Sequence, residues 1–203
     1  MSIERGADWG DRAEKPADLV YAASDRAAAE VIAKARRANH EVPSIGLTGG
    51  DMHRTLGGSS GSGLVDATEA THVIVDIGAA LLDGRLHWFF GHLVARRSWL
   101  TGRVLVVANA AFIGPWNIAP RAHPGDGRFE ILDGDPSRGD RWKARRRLPS
   151  GTHIPHPAIR VRRAGAAQFE FERPTPIHLD GHHEGEATTL SIRLEADAVD
   201  VWI

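Results

Sequence analysis

Asp51 closes the run Gly46-Leu47-Thr48-Gly49-Gly50-Asp51, in which a short apolar stretch leads into two glycines and a carboxylate. Glycines at such a turn let peptide N–H groups come close to a phosphate, and a helix starting there turns its positive end toward the same anion. The carboxylate can then hold a metal ion or activate a hydroxyl. Two glycines before a helix are also ordinary punctuation, so both readings stay open. A second candidate is Asp126, set between Gly125 and Gly127 in a run that opens at Pro120 and includes Pro124. Such a loop can form a rigid oxygen-lined pocket for Mg2+ or Ca2+, or simply a tight turn with an Asp-Gly tip.

The chain holds eleven histidines, which raises a metal reading. The pairs are His153 with His156, and His182 with His183 beside Glu184. Pro155 and Pro157 forbid a regular helix around the first pair, so its spacing lacks the geometry to share an ion. Surface or turn histidines are the plainer account, and a histidine-metal hydrolase is the third-ranked function. Arg138, Arg141, Lys143, Arg145, Arg146 and Arg147 form a basic stretch. On a helix they are either a solvated face or a surface that docks on anionic lipid.

The elements that must position these groups can be read in order. Residues 1–16 are charged and have little to bury, which predicts a flexible arm. Ala17 to Ala23 reads as a strand, and Ser24 caps an amphipathic helix over Asp25 to Arg37 with Ala28, Val31, Ile32 and Ala35 on one face. Pro43 to Thr48 is a further strand, and Met52 to Leu56 can begin another helix. The run Gly57 to Gly63 is a linker, placing a domain boundary there. Strands then follow at Thr71 to Leu82 and Arg85 to Val94 about an Asp83-Gly84 hairpin turn, at Arg103 to Ile113 and at Arg128 to Leu132. A helix over Arg138 to Leu148 precedes four more strands: Gln168 to Arg173, Pro176 to Asp180, Thr188 to Leu194 and Ala198 to Ile203. The fold class expected is α+β: a short α/β remnant over residues 17–63 and an antiparallel, β-sandwich-like domain over residues 64–203.

Composition narrows the functions. Lys and Arg total 25 against 26 Asp and Glu, so no global field favours nucleic acid, and a membrane surface would need a local patch. Without cysteine there is no disulfide framework, thiolate zinc site or cysteine nucleophile. No signal-type apolar core lies near the N-terminus and no stretch reaches the ~20 apolar residues of a spanning helix, so a cytoplasmic protein, peripheral to a membrane at most, is expected.

Several short motifs, in order, resemble the second domain of bacterial diacylglycerol kinase-like lipid kinases. They are Val104-Leu105-Val106-Val107-Ala108-Asn109-Ala110, Gly114, Ile118-Ala119-Pro120, Asp126-Gly127-Arg128-Phe129-Glu130, Gly151-Thr152-His153, His156-Pro157 and Ile177-His178-Leu179-Asp180-Gly181. In that superfamily, shared with NAD kinases, a Gly-Gly-Asp-Gly-Thr motif binds ATP phosphates and its aspartate serves catalysis. The resemblance therefore implies Asp51 as catalytic residue, Gly49 and Gly50 as phosphate contacts, and Thr55 standing in for the threonine, since Met52 and His53 replace the last two positions. It also implies a structural metal at Asp126, ATP and Mg2+ as cofactors, and a lipid hydroxyl as acceptor. Two departures accompany it: Asp180-Gly181-His182 stands where the family has Asp-Gly-Glu, and the part preceding the motif is short. The expected function is phosphoryl transfer from ATP to a diacylglycerol-like lipid. The alternative is a non-catalytic lipid- or protein-binding module. Unpaired strand edges add the expectation of a homodimer.

Overall fold

The computed structural model of the chain describes residues 10–58 and 63–203. Residues 1–9 of the expected arm and residues 59–62 of the expected linker lie outside the described residues. The elements are β1 (Asp11–Glu14), β2 (Val20–Ala22), α1 (Asp25–Arg37), β3 (Ile45–Leu47), α2 (Asp51–Thr55), β4 (Glu69–Leu82), β5 (Arg85–Phe89), β6 (His92–Arg96), β7 (Val104–Ala108), β8 (Phe112–Ile113) and β9 (Trp116–Asn117). They continue as β10 (Phe129–Gly134), α3 (Arg138–Arg147), β11 (Ile159–Ala164), β12 (Ala166–Leu179) and β13 (His182–Trp202).

Among the described residues eleven strands join in one sheet along the path β1-β4-β13-β12-β6-β7-β10-β11, with β5 on β4, β3 on β13 and β2 on β3. Among the described residues only β2–β3 and β3–β13 are parallel pairs. Alternate residues of a strand face opposite sides, and the sheet curls so that one face of β4, β5 and β13 meets one face of β6, β7 and β10. The shared core includes Phe89, Leu93, Leu105, Phe129, Ile131 and Leu190, with the Phe89 and Phe129 rings stacked at 5.4 Å. The class is therefore α+β with a β-sandwich-like body.

The outer face of β4 and the end of β13 present Val73, Val75, Val199 and Val201, which α1 covers with Ala28, Ala29 and Ile32 and α2 with Met52. Ser24 caps α1 by accepting the Ala27 N–H at 3.2 Å, and Lys34, Arg36 and Arg37 crowd its negative end, as the sequence pattern requires. Burial of Ile32 stabilises this docking by roughly 2 kcal/mol. Residues on both sides of the glycine-serine run thus share one core.

Several elements differ from expectation, among them β11, which the sequence reading lacks, and Arg103 to Ile113, which is β7 and the separate β8. Asp11–Glu14, read as part of a loose arm, is an edge strand on β4, its Arg12 Nε donating to Glu69 at 3.2 Å; a charged edge strand carries no apolar signal. Arg85 to Val94 is two strands broken at Phe90-Gly91. The four expected C-terminal strands are two long ones, β12 and β13, whose pairings shift register between Glu170 and Thr175 and between Glu195 and Val199. The Asp83-Gly84 turn forms as expected, both residues at positive φ, the conformation a two-residue hairpin needs.

Gly78 pairs with Phe89 across β4–β5, and a Cβ on it would collide with the Phe89 ring. Gly78→Ala is expected to cost about 1–3 kcal/mol, read as a lower urea midpoint at constant slope. An unchanged midpoint would mean the ring can step aside.

Candidate active site

The parallel pair β2–β3 makes the site. Each strand runs through a short turn into a helix whose first residue is an aspartate: Asp25 in α1 and Asp51 in α2. Because the strands lie side by side and point the same way, both helices begin at one edge of the sheet. Asp25 is buried there and accepts the N–H groups of Asp51 at 3.2 Å and Met52 at 3.1 Å. It thereby caps α2, whose own cap residue, Gly50, has no side chain to offer. Gly50 has φ +102°, and a Cβ on it would collide with the Asp25 carboxylate; the glycine is needed both for its backbone conformation and for this contact.

A third carboxylate approaches from the sandwich. Asp180 lies in the β12–β13 turn and accepts three main-chain N–H groups, from Phe90 at 2.8 Å, Gly91 at 2.7 Å and His92 at 2.9 Å. Those bonds break the expected long strand at Phe90-Gly91 and present Gly91 and His92 to Asp25. A Cβ on Gly91 would lie 2.5 Å from Asp25 Oδ2. His92 is buried, and its Nε2 sits 3.0 Å from the Ala110 carbonyl oxygen. A carbonyl can only accept, so Nε2 carries the proton and Nδ1 is bare. Ligand atoms of Asp25, Asp51 and His92 all lie within 4.8 Å of one another.

Burial and like charge perturb this cluster. The Asp25 carboxyl is pushed up to about 8, first by burial and then by the Asp180 charge, against the pull of its two N–H donors. Asp180 is pushed up to about 6 by burial, opposed by its three N–H bonds. Burial also raises Asp51 and lowers His92 to about 4. Asp25 without a cation is thus mostly protonated at neutral pH while His92 is neutral. The Arg54 charge acts on Asp51 against the effect of burial, and the donor set of two carboxylate groups and a neutral imidazole suits a divalent cation.

The cleft above the cluster has a volume of about 350 Å³ and is also lined by Arg26, Arg96, Trp99 and Trp116. The two tryptophans form a wall shared with a second cavity of about 520 Å³, whose lining includes the apolar Leu100, Val104, Val106, Ile118, Leu132 and Ile159 and, toward α3, Arg138, Arg141 and Arg145. An acidic cleft and an apolar cavity therefore adjoin.

Of the residues expected from sequence, Asp51 is in the cluster, its Oδ1 accepting from Gly114 N at 2.8 Å. Gly49 and Gly50 form the turn beneath it, but the N–H groups that follow them are directed at Asp25. The Thr55 hydroxyl donates to Asp51 O and accepts from Ala111 N. Asp126 lies elsewhere: it accepts from Arg128 N and is paired with the Arg163 guanidinium. Among the described residues Asp126 is not part of the group of possible metal ligands, which is Asp25, Asp51 and His92. Glu184 is salt-bridged to Arg26 at 3.8 Å, and among the described residues His153, His156, His182 and His183 form no metal-ligand group. The sequence reading does not reach Asp25 or His92 as site residues, and it names Asp180 only within Asp180-Gly181-His182 and the motif before it. The repeated pattern of strand, small residues and helix-opening aspartate could have found Asp25; His92 and Asp180 depend on contacts between distant strands.

The architecture is thus a β-sandwich-like body flanked by a parallel strand–helix unit, with acids gathered where the two meet. The chain belongs to the family of the YegS C-terminal NAD kinase beta sandwich-like domain, whose model matches residues 90–202, more than half of its length. The fold is similar to that of a candidate diacylglycerol kinase from Bacillus anthracis str. Sterne, with a TM-score of 0.66 and 15% identity over 90% of this chain and 76% of that one. The structure of a diacylglycerol kinase of the same organism aligns with a TM-score of 0.60 and 15% identity over 90% of this chain and 74% of that one. No curated protein matches the chain. Among the described residues no helix is long and apolar enough to cross a membrane.

Proposed function

We propose that the acidic cleft carries out metal-assisted phosphoryl transfer from ATP to a lipid hydroxyl, making the chain a lipid-kinase-like enzyme. The observation that carries this reading is the meeting of Asp25, Asp51 and His92 beside a tryptophan wall that also bounds an apolar cavity. Phosphoryl transfer asks a protein mainly for positioning and for compensation of charge.

Asp25 and Asp51, with His92, would hold Mg2+, which when bound supplies positive charge to the phosphate oxygens. Asp51, on the open side of the cluster, accepts the proton of the attacking hydroxyl. Arg26 and Arg96 line the same cleft and meet the phosphates, a task that the amides following Gly49 and Gly50 do not perform while they bond Asp25. Asp180 keeps His92 and Gly91 in register with Asp25. The acyl chain lies in the apolar cavity, and Trp99 and Trp116 divide head from tail.

The test is incubation of the full chain with γ-labelled Mg2+-ATP and diacylglycerol in mixed micelles. Label in the lipid fraction, reduced about a hundredfold by Asp51→Asn, is the expected result. Lipid binding without label would move the chain to the alternative of a non-catalytic lipid-binding module, which the apolar cavity alone could serve. Undiminished transfer in Asp51→Asn would remove that residue from the chemistry.

A further inference from the structure

We infer that α3 is a docking element for an anionic lipid bilayer, placed at the mouth of the apolar cavity. The helix has six cations against one acid, Asp140, and buries none of its residues. It is held instead at its start and by side-chain contacts, with Arg145 over the Trp116 ring at 5.8 Å and Asp140 4.0 Å from His156. Ser137 caps it by accepting the Asp140 N–H at 3.2 Å. The Arg141 guanidinium bonds the carbonyls of Pro136 and Trp99 and the Asp135 carboxylate, as well as the Gly102 carbonyl. Arg141 is therefore an anchor, and Arg138, Lys143, Arg145, Arg146 and Arg147 remain exposed. The chain as a whole has a formal charge of -1, so this positive field is local.

Charge alone would fit a solvated face. Two large apolar side chains argue for a bilayer: Trp142 is 62% exposed and Leu100 is 70% exposed. Both line the rim of the apolar cavity, as do Arg138 and Arg145. An indole and an aliphatic group standing out among arginines match the interfacial zone of a membrane, where apolar groups enter and cations meet anionic headgroups. A lipid leaving the bilayer at this rim finds the cavity directly beneath it. Docking needs no turnover, so its failure would leave the phosphoryl-transfer reading untouched.

The experiment is co-sedimentation of the full chain with phosphatidylcholine vesicles, with and without phosphatidylserine, over a salt series. Binding is expected only with phosphatidylserine, weakening as salt screens the charges. Arg145→Glu with Arg146→Glu should reduce it about tenfold or more, and Trp142→Ala should reduce it further at equal charge. Thermal melting checks that each variant folds, and the milder pair Arg145→Gln and Arg146→Gln gives the same direction. Absence of binding, equal binding to neutral vesicles, unchanged binding of folded variants, or tighter binding to a nucleic acid than to vesicles would each overturn the inference.

Discussion

Asp25→Asn is expected to lower phosphoryl transfer by about a thousandfold, the scale on which loss of one preorganised electrostatic group is felt, while making the cation-free protein more stable near pH 8. The two effects share one cause. A carboxyl whose proton is held up to about 8 resists ionisation in the fold, whereas in the unfolded chain it ionises near 4. Below about pH 4 both states are protonated and nothing is lost; as pH rises toward 8 the unfolded state gains by ionising first, and stability falls. His92, lowered to about 4, works the other way, losing stability as pH falls below its ordinary value near 6.5. Between about pH 4 and 6.5 the two slopes oppose each other, with Asp180 adding to the Asp25 side below about 6. Above 6.5 Asp25 still acts, its carboxyl being held up to about 8, alongside Asp51, Asp76 and Glu130, which burial also raises. In chelator the wild type should therefore lose roughly 1.4 kcal/mol per pH unit more than Asp25→Asn between about pH 6.5 and 8. Urea titrations at two pH values check this; equal slopes for both proteins would show that Asp25 is not the strained group.

Asp180→Ala is expected to cost about 4 kcal/mol, from leaving the Phe90, Gly91 and His92 N–H groups without their acceptor and from placing alanine at φ +47°. For a domain with 5–15 kcal/mol in total, that brings the folded state close to failure. Asp180→Asn keeps one acceptor oxygen and tolerates positive φ, so it should lose about half as much. A urea midpoint for Asp180→Ala equal to wild type would mean that the β5–β6 turn holds without this carboxylate.

Local patterns in the sequence were enough for α1, whose cap, Ala28 and Ile32 behave as the helical period demands, and for the Asp83-Gly84 hairpin. Asp51 was visible because two glycines announce a turn. Asp25 was not, because a serine before a helix is fully explained as a cap, and the next residue draws no notice until β2 is seen beside β3. Asp180 bonds an N–H 90 positions away in sequence, a contact that no local period encodes. The same holds for β11, where Arg160, Arg162 and Arg163 mask a strand defined only by pairing with β10. Apolar periodicity reports what is buried nearby; the acidic cluster comes from three turns brought together by sheet topology.

The central claim is that Asp25 and Asp51 form a divalent-cation site. Titration of Mn2+ into the metal-free protein at pH 7, by calorimetry in buffers of differing ionisation enthalpy, tests it most directly. Because Asp25 holds its proton without a cation, binding should release close to one proton per ion, and Asp25→Asn should release none and bind more weakly. No saturable binding, or binding with no proton release that Asp25→Asn leaves unchanged, would contradict it.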